Sequence, residues 1–322
     1  PRLSSAESDV YKRQALYQFY IVLGILIAFL SNYLLSGLGE NAWRWMIGVE
    51  AIPAIIYTLL ALTIPRSPRW LLLNGHHDEA SQIVSQLYPD QSVEDIVSEI
   101  EESQQQHHDS KENVFMKKYR LPLMLAFLIA FFNQLSGINA FLYYAPRIFE
   151  EAGLEKSSAL LSSIGIGVTN LIFTLIGVAL IDRLGRKKLM YIGSIGYIIS
   201  LSLVAMAFFL NWEGMAVPIF LFLFIASHAI GQGAVIWVFI SEIFPDQLRA
   251  SGQAFGCGTH WVLAAIIPSL VPLLFAKVGA GAVFAFFAFM MFLQLLFVIF
   301  MMPETKGISL EDLEKQLIKE SA

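Results

Sequence analysis

Eight apolar runs alternate with shorter polar stretches along the chain, at roughly 15–35, 43–64, 121–145, 158–181, 188–210, 214–240, 252–276 and 279–302. Each is about as long as a bilayer-crossing helix needs to be. A chain that enters lipid this often does so as helices, because a helix satisfies its own backbone amides and carbonyls. The pattern predicts an all-α polytopic membrane protein. One long polar stretch, 65–120, separates the second run from the third. Within it Ala80, Ile83, Val84 and Leu87 recur at helical spacing and stop at Pro89, and Val93, Ile96, Val97 and Ile100 repeat the period behind Ser92, a predicted N-cap. Two short amphipathic helices lying under the bundle are expected there.

Composition agrees. Of 322 residues, 56% are hydrophobic and only 15% charged, outside the range of an ordinary soluble domain. The single cysteine, Cys257, has no intrachain partner, and no CxxC or His/Cys cluster suggests a metal site. The run from Gln104 to Asp109, with His107 and His108, reads as a solvated linker rather than a metal binder. Of the 21 Lys and Arg residues, 17 fall on one side when 1–14, 65–120, 182–188, 241–251 and 303–322 are grouped together. That side is expected to be cytoplasmic. The prediction is a multi-pass protein of the cell membrane with both chain ends inside. Residues 1–14 show no signal-peptide pattern and join abruptly to an apolar helix, so they are read as a non-native leader.

The chemistry is concentrated at residues 133–144, where Asn133, Gln134 and Asn139 interrupt an apolar run and Tyr143 and Tyr144 close it. Lipid offers these amides no partner, so burying them costs free energy unless something pairs with them. Uncharged hydrogen-bonding groups inside a bundle suit a polyhydroxylated, uncharged solute, which points at a sugar. Gln134 and Asn139 lie about 140° apart on a straight helix. Gly137 between them permits an unwound turn that would aim both at one point, a known device for midplane binding sites. Packing between neighbouring helices is the competing use of such amides. Two histidines also fall within spans. His228 is read as a hydrogen-bonded structural histidine rather than a proton carrier, and His260 directly precedes Trp261. No nucleophile–base–orienter set stands out, so enzyme activity is not expected. Nothing calls for a cofactor or for nucleic acid.

Five motifs in order carry a resemblance. They are Pro65-Arg66-Ser67-Pro68-Arg69-Trp70-Leu71-Leu72; Gln134-Leu135-Ser136-Gly137-Ile138-Asn139 with Tyr143-Tyr144; Asp182-Arg183-Leu184-Gly185-Arg186-Lys187; Trp237 ahead of Ser241-Glu242-Ile243-Phe244-Pro245 and Arg249; and Pro303-Glu304-Thr305-Lys306-Gly307. Together they resemble the sugar porter family of the major facilitator superfamily, specifically bacterial xylose and glucose transporters. The resemblance implies a twelve-helix fold in two six-helix halves. On that template eight of twelve helices are present: 15–64 would be the last two of the first half, 65–120 the cytoplasmic helical linker, 121–302 the second half and 303–322 a cytoplasmic tail. The chain would then be a fragment lacking the first four helices.

The resemblance also assigns roles. Gln18 matches a sugar-contacting glutamine of the fifth helix, and Asn133, Gln134 and Asn139 match the seventh-helix sugar ligands. Asn170 matches a cavity-facing asparagine. Trp237, four residues after Gly233, matches the tryptophan under the sugar. His260 stands in the eleventh helix where the family often has glutamine or asparagine, which implies a hydrogen bond to sugar, and Trp261 matches a second cavity aromatic. Tyr143 and Tyr144 match the outer gate. Asp182, Arg183, Arg186, Lys187, Glu242 and Arg249 match the cytoplasmic gating charges, expected here as exposed pairs worth about 0–1 kcal/mol each. The implied activity is monosaccharide transport by alternating access, as proton symport or facilitated diffusion, with sugar, protons and the lipid bilayer as partners. An inositol or polyol carrier and a non-transporting sugar sensor are the alternatives. Departures from the family pattern are Asn133 for a glutamine, Ala229 for a glutamate, Ala264 for an asparagine, and Arg66 for a glutamate. Gln232, Ala234 and Ile236 stand at positions that are often proline, so the helix they occupy is expected to be less broken than usual.

Overall fold

The computed structural model describes the backbone of residues 5–89, 91–109, 113–212, 214–245, 247–308 and 310–318, with the side chains of 5–15, 17, 103–109, 310 and 311 excepted. The described residues contain helices and no strand. Eight helical segments are long and apolar enough to cross a membrane: Gln18–Leu35, Gly39–Ala61, Lys117–Glu151, Lys156–Leu184, Arg186–Phe209, Ala216–Glu242, Arg249–Val278 and Ala280–Phe300. They coincide with the eight apolar runs. The chain divides into two compact units, residues 38–113 and the remainder.

The smaller unit opens with α2 (Ala42–Gly48) and α3 (Ala51–Ala61). The second apolar run is thus not one straight helix, and Pro53 explains why. Proline offers no N–H to the Val49 carbonyl four residues back. That carbonyl instead accepts from Ile52 N at 3.1 Å, and the helix restarts past a short turn. Three polar-stretch helices follow, α4 (Pro68–Leu73), α5 (His77–Leu87) and α6 (Val93–Asp109). Leu71, Leu72, Ala80 and Ile83 form their buried core, with Val97 and Ile100 packed against it. Ser92 Oγ accepts from Asp95 N at 3.3 Å, the expected cap. Leu87 departs from expectation: it ends α5 and is 57% exposed. Arg66 lies over the Trp70 ring at 4.4 Å, so its positive charge is met by an aromatic face. The side chains of Gln104 to Asp109 lie outside the described residues.

The larger unit contains α1 (Ser5–Leu35), α7 (Arg120–Leu135), α8 (Ile138–Glu151), α9 (Lys156–Leu184), α10 (Arg186–Phe209), α11 (Ala216–His228), α12 (Ala234–Glu242), α13 (Arg249–Val278), α14 (Ala280–Phe300) and α15 (Leu310–Leu317). The first of these begins within the stretch expected to be a leader. Helix α10 packs along α11 and α14, α1 along α9, and α13 along α7. Lipid-embedded helices gain little from the hydrophobic effect when they meet, so close packing at small residues does the work. A Cβ on Gly193 of α10 would come within 2.8 Å of the Gly231 Cα, and one on Gly177 of α9 within 2.9 Å of the Ala229 carbonyl.

A candidate solute site at two interrupted helices

The third span is interrupted where the sequence places Gly137. Helix α7 ends at Leu135, Gly137 takes φ +80°, and α8 restarts at Ile138. A left-handed backbone is strained for residues with a Cβ. A Cβ here would also lie 2.5 Å from the Phe287 ring of α14, so glycine is required twice over. The freed backbone is satisfied locally: Ser136 Oγ donates to Asn133 O at 2.6 Å and accepts from Ile138 N at 3.3 Å.

The turn brings the amides together. Asn139 Nδ2 donates to Gln134 Oε1 at 3.0 Å, and Gln134 Nε2 donates to Asn133 Oδ1 at 3.0 Å. The same Gln134 nitrogen sits 3.2 Å and 3.1 Å from the two ring nitrogens of His260 on α13. Gln134 is therefore the hub of a neutral cluster joining two helices. The His260 ring in turn packs against Trp237 of α12, centroids 4.9 Å apart, and edge-on to Trp261 at 5.1 Å. Asn133, Gln134 and His260 are buried, while Asn139 and Trp237 are half-buried and give the cluster an open side. Trp261, expected as a second cavity aromatic, is 58% exposed. Its only ring contact among the described residues is with His260, because it lies one position around α13 from the buried face.

The sixth span is interrupted differently. Between α11 and α12 the residues Ala229–Gly233 form a single π-helical turn, with no left-handed residue. The helix carries no proline at this turn, yet it still widens by one residue. The wide turn holds Gly233 beside the ring of His228. His228 is hydrogen-bonded through Nδ1 to the hydroxyl of Tyr197, the hydrogen bond expected of it. Gln232 donates to Gln294 of α14, and Gln294 Nε2 donates to Ser194 Oγ at 2.8 Å. This buried chain staples the π turn to α10 and α14.

Two further expected ligands sit on α1 and α9. Gln18 Oε1 is buried with no hydrogen-bond partner among the described residues, as is Thr174 Oγ1, one turn from Asn170 on α9. Asn170 is itself buried. The structure packs α1 on α9, where Leu26 meets Gly167. Tyr143 is 59% exposed, whereas Tyr144 packs against the core.

The charged residues form a separate group at the α9–α10 corner, and here one expectation is overturned. The main ion pair is buried, not exposed: Arg186 and Glu242 are 3% and 8% accessible. Arg186 NH2 donates to Glu242 Oε1 at 2.8 Å and Nε to Oε2 at 3.2 Å, a bidentate fork. Arg186 also reaches Asp182 Oδ1 at 3.3 Å. Breaking a buried pair by removing one partner costs about 3–5 kcal/mol, far above the value of an exposed one. Glu304, seen in the sequence only as part of a motif, caps α10. Its carboxylate accepts from Arg186 N at 2.9 Å and Lys187 N at 3.1 Å, where the helix dipole favours negative charge. Thr305 Oγ1 donates to Glu242 Oε2 at 2.6 Å. Arg183 contributes its carbonyl to Lys306 Nζ at 2.6 Å while its own side chain is exposed, and Lys187 Nζ donates to Ile299 O at 3.2 Å. Arg249 Nε donates to Ser241 O at 3.0 Å.

Residues 11–317 match the family model described as "Sugar (and other) transporter". The chain belongs to that family. Among its relatives within the sugar transporter family is the probable metabolite transport protein CsbC of Bacillus subtilis (strain 168), 37% identical, the match covering 93% of this chain and 66% of the relative. The D-xylose transporter of Levilactobacillus brevis is 35% identical over 94% of this chain and 67% of its own length. Among solved structures, the major facilitator superfamily proton:xylose symporter XylE bound to 6-bromo-6-deoxy-D-glucose is similar with a TM-score of 0.76 and 30% identity, covering 94% of this chain and 66% of that one. The chain thus spans about two thirds of the length of the relatives it matches, and its fold is the all-α major facilitator fold.

Proposed function

We propose that the protein carries a monosaccharide, a hexose or pentose, across the cell membrane by alternating access. The observation that carries this reading is Gln134. It is a buried, uncharged hub at a helix break, linked to Asn133, Asn139 and His260, in a chain whose family is one of sugar transporters. Neutral donors and acceptors of this kind match the hydroxyls of an uncharged sugar, and Trp237 offers an apolar face for its ring. The orphaned oxygen of Gln18 and the amide of Asn170 are the further contacts we assign. The names of two relatives, a D-xylose transporter and a proton:xylose symporter, support a pentose or hexose and coupling to protons.

The distribution of Lys and Arg supports a cytoplasmic location for both chain ends, the 65–120 linker and the Arg186–Glu242 corner. There the buried ion pair, with Asp182 and Glu304 around it, acts as the latch of the outward-facing state. A contact present in only one state biases the equilibrium by its full differential free energy. Tyr143 and Tyr144 belong to the gate at the opposite end.

The test is labelled-sugar counterflow in proteoliposomes, using the full-length product of the gene that encodes this chain and trying D-xylose and D-glucose. Accumulation in preloaded vesicles is expected, because counterflow needs no ion gradient. Gln134→Ala is expected to abolish saturable uptake while leaving membrane insertion intact. Unchanged uptake in that variant would remove the site assignment. Silence with both sugars in folded protein would favour a polyol carrier or a sensor.

A further inference from the structure

His228 is the one imidazole of the bundle that the amide cluster leaves out. Its Nδ1 is held by the hydroxyl of Tyr197, a tyrosine of α10 that is fully buried and has Ser136 beside the same hydroxyl. A tyrosine in that setting has little freedom to move, so the imidazole it grips is fixed in orientation. The opposite ring nitrogen, Nε2, has no hydrogen-bond partner among the described residues and is not sealed off, since the ring is only half-buried. It lies next to Gly233, where a Cβ would come within 3.4 Å of Nε2 and Cδ2. Gly233 and Trp237 are one turn apart on the same helical face, and Trp237 packs on His260. Gly233 thus sets Nε2 beside the turn that carries Trp237, whose ring packs on His260 of the amide cluster.

We infer that His228 is a specificity-determining ligand of the transported sugar, presenting Nε2 to one sugar hydroxyl while Tyr197 holds Nδ1. The inference rests on the transport reading above and adds to it a residue on the second interrupted helix. The physical logic is that of a clamped ligand. A polar atom wedged half-open in a bundle gains most when a solute group completes its hydrogen bonding, and a ring already oriented loses little freedom in doing so. Tyr197 is a positioning residue in this scheme, and Ser136 ties the same brace to the Gly137 turn. Both interrupted helices would then report to one bound sugar.

Two substitutions separate the two ring nitrogens. Asparagine places its amide near the position of Nδ1 and keeps a partner for Tyr197, but has nothing at Nε2. Glutamine reaches the position of Nε2. In counterflow with the full-length protein, His228→Asn is expected to raise the half-saturating D-glucose concentration about 5- to 10-fold, the worth of one neutral hydrogen bond. His228→Gln is expected to stay within about 3-fold of the unsubstituted protein. The decisive readout uses 2-deoxy-, 3-deoxy- and 6-deoxy-D-glucose as competitors. At one position, removing the hydroxyl should weaken competition in the unsubstituted protein and have no further effect in His228→Asn. A purely structural histidine would not produce such a pairing. Equal half-saturation in His228→Asn and the unsubstituted protein, or additive losses at every deoxy position, would overturn the inference with the transport reading intact. Absence of counterflow in the unsubstituted protein would overturn both.

Discussion

The span carrying Gln134 and the span carrying Trp237 are both interrupted near their middle, yet by different physics. In the first, Gly137 adopts a left-handed backbone and the chain changes direction, so that residues on opposite faces of a straight helix come together. In the second, Ala229–Gly233 widen by a π turn with ordinary right-handed backbone throughout, and the turn is held by Gly193 and Gly177 on neighbouring helices. The first break is written into one residue. The second is imposed by packing, and the buried Gln232–Gln294–Ser194 chain keeps it in place. A break of the first kind builds the polar hub, whereas a break of the second kind sets where an aromatic wall stands.

The sharpest way to break this contrast is Gly137→Ala in the full-length protein. Left-handed strain of about 1–2 kcal/mol adds to overpacking against Phe287 of about 1–3 kcal/mol. A large fall in thermal midpoint in detergent is expected, together with loss of sugar-induced change in tryptophan fluorescence. Gly231→Ala carries only the overpacking, about 1–3 kcal/mol, because its backbone is right-handed. Its thermal midpoint should fall less, and sugar binding should weaken without disappearing. Equal damage from the two would mean that the breaks are not different in kind. The smallest effect refines the first: Phe287→Ala should rescue part of Gly137→Ala, with a coupling of about 0.5–3 kcal/mol, and show no coupling to Gly231→Ala. Thermal unfolding of the three single variants and the two double variants closes both cycles.

Much of this architecture was legible in the sequence because lipid makes the rules severe. Eight apolar runs gave eight spans within a few residues, and three amides around one glycine gave the hub. What was not legible was who pairs with whom. Tyr197 is 31 residues from His228, Gln232 is 62 from Gln294, and Arg186 is 56 from Glu242. A polar residue in an apolar run announces that it needs a partner, but not which one. The reading of the gating charges as exposed pairs failed for that reason, since burial of Arg186 depends on helices distant in sequence. Gln294, alone among the apolar residues of α14, was a signal that went unused.

The cap that Glu304 places on α10 bears on how the molecule is made. The first amides of α10 and one oxygen of Glu242 find partners in residues 304 and 305. A ribosome delivers those residues more than a hundred positions after the first residue of α10. During synthesis, therefore, the corner joining α9 to α10 stays incomplete while three more spans enter the membrane. Its closure is among the last events of assembly, so a chain cut short before Glu304 carries its missing end as an unfinished joint at a site formed long before.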